Sequence, residues 1–152
     1  MHKKMIGLAL VGILSAGAVM ASEGWLTDFE KAKQKAEELK RPILADFTGS
    51  DWCVWCIRLD KEVFTQKEFK DFAKDNLVLF MADFPRNKQQ YKSEKKQNEA
   101  LREKYGVSGY PTIFLLKADG EVIAKTGYKK GGAAAYVQHL QELLKQQASG
   151  EN

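Results

Sequence analysis

The stretch Asp46-Phe47-Thr48-Gly49-Ser50-Asp51-Trp52-Cys53-Val54-Trp55-Cys56 carries the reading of this chain. It holds both cysteines of the 152-residue sequence, Cys53 and Cys56, spaced C-x-x-C. The residues before them, Pro42 to Thr48, form an apolar run interrupted by Asp46 and read as a buried strand. After them, Ile57, Leu59 and Val63 are spaced for one face of a helix. The pair therefore stands where a strand gives way to a helix. Two thiols on a first helical turn can close and open a small disulfide ring, and the helix N-terminus favours thiolate over thiol. A bond closing so short a loop removes little chain entropy, so it makes a poor staple and points instead to redox use.

Asp46 breaks an otherwise apolar strand. A buried carboxylate is costly unless it is paired or used, and burial raises its pKa. Period-two alternation could turn it outward, but Ile43, Leu44, Ala45 and Phe47 around it are all apolar, which favours burial. Trp55, between the two cysteines on a first turn, is hard to bury and reads as a substrate contact. Asp51 stands close enough to oppose a thiolate slightly.

Residues 1–21 follow different rules. His2-Lys3-Lys4 is a short basic segment, Met5 to Met20 is uncharged and mostly apolar, and Val19-Met20-Ala21 suits a cleavage site. This is the pattern of a secretory signal peptide cut after Ala21, leaving 22–152 as one domain. The apolar run has 16 residues, broken by Gly7, Gly12 and Gly17. A membrane span needs about 20 residues. The expected location is periplasmic or otherwise exported, where disulfides persist. Losing Lys3 and Lys4 lowers Lys plus Arg from 24 to 22 against 20 acids, so the net charge falls from +4 to +2. That balance argues against nucleic acid as a partner.

The rest of the chain supplies the frame. Trp25-Leu26 is expected to pack onto the domain as its first ordered segment. Thr27-x-x-Glu30 reads as a capping box opening a helix to Leu39, with Phe29, Ala32, Ala36 and Leu39 inward, stopped by Arg41-Pro42. The helix that begins at Cys53 is expected to run to about Glu62. Thr65-x-x-Glu68 reads as a second capping box, starting a helix with Phe69 and Phe72 on one face and ending near Asp75. Leu77 to Ala82 reads as a strand covered on both faces, and 84–97 as the longest irregular stretch. Asn98 is expected to cap a helix over Glu99–Tyr105 that Gly106 ends. Val107 to Thr112 leads into a strand over Ile113–Leu116, and Asp119-Gly120 joins it to Val122–Thr126 as a hairpin. The last helix places Tyr136, Val137, Leu140, Leu143 and Leu144 inward, and the tail from Ala148 is expected to fray. His139 reads as a surface residue without a role. The first two strands connect through helices, which implies parallel pairing. The fold class is α/β, a mixed central sheet with helices on both faces.

Zinc wants four ligands. The chain offers two cysteines, His139, and a His2 that leaves with the leader. A c-type haem needs histidine after the second cysteine, where Ile57 stands. No metal and no cofactor are expected.

Three features together resemble the thioredoxin superfamily. They are Trp52-Cys53-Val54-Trp55-Cys56 after a strand, Asp46 inside that strand, and Gly109-Tyr110-Pro111-Thr112 before the hairpin. The resemblance spans about residues 25–147. It is similar in particular to exported single-domain members and to the soluble end domain of bacterial thiol:disulfide interchange proteins. The resemblance implies a thioredoxin fold and a protein-disulfide oxidoreductase, with reduction as the leading direction. Cys53 would be the exposed nucleophile and Cys56 the buried resolving thiol. Asp46 would move the proton of Cys56. Trp52, Val54, Trp55, Gly109, Tyr110 and a cis Pro111 would contact substrate. Implied partners are proteins with disulfides or thiols and an upstream redox partner such as a membrane thiol carrier, met by a monomer. A reading of another class stays open: a binding module that uses the aromatic groove around Pro111, its disulfide inert. The segment from Asp46 to Cys53 is one residue longer than in thioredoxin, and the enclosed dipeptide is Val-Trp.

Overall fold

The computed structural model describes residues 24–150, so the expected leader at 1–21 lies outside the described residues. The elements run β1 (Trp25–Leu26), α1 (Phe29–Leu39), β2 (Ile43–Thr48), α2 (Val54–Leu59), α3 (Lys67–Asn76), β3 (Val78–Asp83), α4 (Lys92–Lys104), β4 (Thr112–Leu116), β5 (Val122–Thr126) and α5 (Gly132–Gly150). A π-helical turn over Asp60–Phe64 continues α2. Five strands form one sheet in the order β1-β3-β2-β4-β5. β1, β3 and β2 are parallel, and β4 runs antiparallel to β2 and β5. This is the mixed sheet expected from the order of elements.

Alternation along β2 divides the core. Ile43, Ala45 and Phe47 point to the face covered by α1 and α4, where they meet Phe29, Phe80, Leu101 and Phe114. Leu44 points to the other face, among Leu59, Val63, Phe69, Tyr136 and Leu140 from α2, the π-turn, α3 and α5. Asp46 shares the parity of Leu44, so alternation turns it toward a second covered face and not toward solvent. It is 4% exposed.

Several expected boundaries shift for physical reasons. The cap of α1 is Asp28, whose carboxylate accepts the Lys31 N–H, and Thr27 lies outside the helix. Lys40 closes that helix with φ +53°, and Leu39 is left 41% exposed. Thr65 is not a cap either. Its hydroxyl donates back to the carbonyls of Asp60 and Lys61, finishing the π-turn, and Gln66 precedes α3. β3 is less enclosed than its apolar run suggested: Val78, Phe80 and Ala82 are buried, while Leu79 and Met81 are half-buried. Asn98 lies inside α4, buried, donating to the Asp83 carbonyl, and the irregular stretch shrinks to 84–91. His139 is half-buried, with Nε2 2.9 Å from the Thr126 hydroxyl. The hairpin and its Gly120, at φ +92°, fall where expected, and α5 reaches Gly150. Among the described residues no helix is long and apolar enough to cross a membrane.

Candidate active site

β2 delivers the chain to the site and Gly49 turns it. The Cys53 N–H donates to the Gly49 carbonyl at 2.9 Å, and the Gly49 N–H points at Cys56 Sγ at 3.5 Å. A Cβ at Gly49 would stand 2.5 Å from Trp52 Cε2, so the indole can lie here only because this residue has no side chain. The turn is tied to the loop after β3. Ser50 donates from both its N–H and its hydroxyl to the Asp83 carboxylate. The Asp51 carboxylate accepts the backbone N–H groups of Arg86, Asn87 and Lys88 at 3.0, 2.7 and 3.0 Å. Those bonds, Arg86 foremost, hold Asp51 below the usual carboxylate range. Asp51 therefore acts chiefly as a clip. Trp52 is held from three sides. Its Nε1 donates to the Phe84 carbonyl at 2.8 Å, the Arg86 guanidinium lies 3.7 Å from its ring centroid, and Tyr110 packs edge-on at 5.9 Å.

Cys53 is the N-cap of α2, and its sulfur accepts the Cys56 N–H at 3.3 Å. The two cysteines form a disulfide with their Cα atoms 5.2 Å apart. Cys53 is 7% exposed and Cys56 4%, so in the disulfide-bonded form the expected contrast of an open and a closed sulfur is absent. The cause is the cap itself, which turns the Cys53 sulfur back over the first turn. The open surface belongs instead to the intervening and following residues: Val54 is 73% exposed, Trp55 48% and Ile57 46%. Ile57, expected inward, faces out, and the core contacts of this helix come from Leu59 and Val63.

Asp46 and Cys56 line one cavity of about 560 Å³, together with Ile57, Asp60, Met81 and Asp83. Asp46 is flanked across the sheet by Met81 and Ile113, neither of whose side chains carries a hydrogen-bond donor. Its Oδ1 is buried without a partner. Burial pushes its pKa well above the usual carboxylate range, and the charges of Asp60 and Asp83 push the same way. Asp60 is itself raised by its loss of water, against the pull of Lys70.

The Tyr110–Pro111 peptide bond is cis. Tyr110 leans on Phe84 at 5.1 Å as well as on Trp52. Gly109 accepts the Thr112 hydroxyl on its carbonyl at 2.6 Å and is open on its Cα side. Sequence reasoning passed over Asp60, Asp83, Gly49 and a cluster of Arg58, Glu62 and Tyr128 around Trp55. Asp60 had a signal, since it lies one turn beyond Cys56 on the same helix. Asp83 and Tyr128 had none, because they arrive through long-range contacts.

A profile of the family described as thioredoxin-like domain matches residues 29–143. A disulfide bond reductase, DsbH, of Chlamydia pneumoniae is 35% identical over 117 residues, 77% of this chain and 70% of that protein. A solved structure of a DsbH oxidoreductase superposes with a TM-score of 0.77 at 32% identity, covering 92% of this chain and 95% of that one. The thiol:disulfide interchange protein DsbD of Yersinia enterocolitica is 31% identical over 111 residues; they make up 71% of this chain but 17% of that protein.

Proposed function

The chain belongs to the thioredoxin-like family and is a thiol:disulfide oxidoreductase, and from that premise we propose that it works as an exported reductant of protein disulfides. The observation that carries this reading is Cys53 at the cap of α2, bonded to Cys56 and flanked by the exposed Val54 and Trp55. Once reduced, the Cys53 sulfur sits at a helix N-terminus that stabilises its thiolate. The thiolate attacks a substrate disulfide, forming one mixed S–S bond and expelling one substrate thiolate. Cys56, as thiolate, then attacks Cys53 Sγ, closing the ring and expelling the second. Two electrons and two protons pass from the pair to the substrate. An upstream dithiol, of the kind a membrane thiol carrier holds, returns the pair to its reduced form. Asp46 shares the cavity of Cys56. Its raised pKa brings its proton affinity toward that of a thiol, the match that proton transfer between them requires. Trp52, Val54, Trp55, Gly109, Tyr110 and Pro111 serve as the contact surface for substrate.

Reduction is supported as the direction by the relation to a protein named as a disulfide bond reductase. Export is supported by the basic-then-apolar order of residues 1–21. The test is reduction of insulin by dithiothreitol together with the equilibrium potential of the Cys53–Cys56 pair. Catalysed insulin precipitation and a potential near about −270 mV are expected. A potential near about −120 mV would make the protein an oxidant. No catalysis at all would leave the binding-module reading.

A further inference from the structure

One cluster ties the segment after β5 to Trp55, the second residue of the dipeptide between the cysteines. The Trp55 ring lies 5.1 Å from that of Tyr128, on the segment after β5. The Arg58 guanidinium lies 5.4 Å from the centroid of Trp55 and 5.9 Å from that of Tyr128. Glu62, one turn further on, accepts from Arg58 Nε and from the Tyr128 hydroxyl, each at 2.7 Å. Tyr128 reaches this cluster from a segment that runs beside Pro111. It follows Gly127, at which a Cβ would stand 3.4 Å from the Pro111 carbonyl oxygen. The Gly127 carbonyl accepts the Tyr136 hydroxyl at 2.9 Å, which pins the segment to α5. The Tyr128 ring therefore has a fixed place beside Trp55, on a segment that abuts the Pro111 backbone.

The charges within this cluster cancel. The positive charge of Arg58 faces the negative charge of Glu62, and the polar tip of Tyr128 is bound to the same carboxylate. Trp55 is exposed and the Tyr128 ring beside it is half-buried, so the pair offers aromatic surface, continued by the exposed Val54. Such a surface favours apolar and aromatic side chains over charged or small polar ones.

We propose that Tyr128, held by Glu62, determines substrate specificity: with Trp55 it forms a platform for an apolar or aromatic side chain next to the disulfide under attack. The occupant is a segment of the substrate polypeptide, because the platform is continuous with the cysteine pair and with Pro111. This rests on the reductase reading above. Tyr128 is a binding residue of the rim, and Glu62 and Arg58 are positioning residues that act through it.

The experiment compares two peptide disulfides in the presence of dithiothreitol. One is the disulfide-linked dimer of a blocked tetrapeptide with phenylalanine before its cysteine, and the other has serine there. The parent protein should reduce the phenylalanine peptide with a kcat/KM about three- to tenfold higher, carried by KM. Tyr128→Ala should bring that ratio down to below about twofold, by raising KM for the phenylalanine peptide alone. Tyr128→Phe keeps the ring but loses the bond to Glu62, and Glu62→Gln weakens the hold on Arg58; each should give an intermediate ratio. A purely structural role would slow both peptides alike and leave the ratio unchanged. A parent protein without preference, or a Tyr128→Ala variant that keeps the preference, overturns this inference and leaves the reductase reading standing. A parent protein that reduces neither peptide overturns the reductase reading and this inference with it.

Discussion

Gly49→Ala should weaken the protein and its site together. The new Cβ would lie 2.5 Å from Trp52 Cε2 and 2.7 Å from both Cζ2 and Nε1. Two routes relieve the clash. If the indole stays, the backbone must yield, and overpacking of this kind costs about 1–3 kcal/mol. If the indole leaves, it gives up its hydrogen bond to the Phe84 carbonyl and its contact with the Arg86 guanidinium. Those are worth about 1.5–2 kcal/mol together. Either route therefore costs roughly 1–3 kcal/mol, which in a domain of this size lowers the melting temperature by roughly 4–12 °C. The assay is thermal unfolding of the oxidised protein followed by circular dichroism. Tryptophan emission separates the routes, since a released indole shifts to the red. Turnover should fall as well, because Gly49 holds the Cys53 N–H and directs its own N–H at Cys56 Sγ. A variant that melts within about 1 °C of the parent, with unshifted emission, would refute the claim that Gly49 is required by the close approach of Trp52.

Asp46 gives a pH signature. Its pKa is raised in the folded protein by burial and by Asp60 and Asp83, so the native state holds its proton where the unfolded chain has released it. The stability it allows is intact below about pH 4 and is lost as pH rises through the raised value. Asp46→Asn should therefore gain on the parent as pH rises from about 4 in urea titrations, and should slow turnover while leaving iodoacetamide labelling of Cys53 nearly unchanged; a constant difference across pH would contradict this. His139 carries the opposite sign. Burial first, and Lys129 second, lower its pKa, so stability present above about pH 6.5 should be lost as pH falls through the lowered value. Replacement by asparagine should flatten that loss in acid melts. Asn98→Ala should cost about 0.5–1.5 kcal/mol in denaturant unfolding, because it removes one of the two bonds to the Asp83 carbonyl, which Gln90 Nε2 still serves; a loss above about 3 kcal/mol would mean that Gln90 does not hold the carbonyl alone.

What the sequence made legible was whatever rests on local pattern. The strand over Ile43–Thr48 takes up the whole apolar run but its leading Pro42, and the C-x-x-C pair lies at the helix start beyond it. The hairpin at Asp119-Gly120 was written in its turn residues. Helix α4 was cut short because its inward face is nearly invisible to hydrophobic pattern. Only Leu101 and the polar Asn98 are buried along it, so its first half read as loop. Thr27 and Thr65 read as caps by spacing alone, while the choice of cap is made by which side chain reaches an open N–H, and Asp28 does. Ile57 has the sequence position of a core residue but borders the cavity below Cys56. The partners of the site come from far along the chain. The bond from Tyr128 to Glu62 spans 66 residues, and that from Asp51 to Asn87 spans 36. No short-range pattern records either, so the cysteines were readable while the walls around them were not.

The central claim is that Cys53 attacks and Cys56 resolves, and single-cysteine variants test it most directly. Expressed as the full chain in an exporting bacterial host, Cys56→Ser can still attack a substrate disulfide but has no second thiol to release it. It should collect as high-mass bands on a non-reducing gel that collapse with dithiothreitol. Cys53→Ser should form none, and both variants should fold, since so short a ring adds little stability. Adducts formed by Cys53→Ser and not by Cys56→Ser would contradict the assignment.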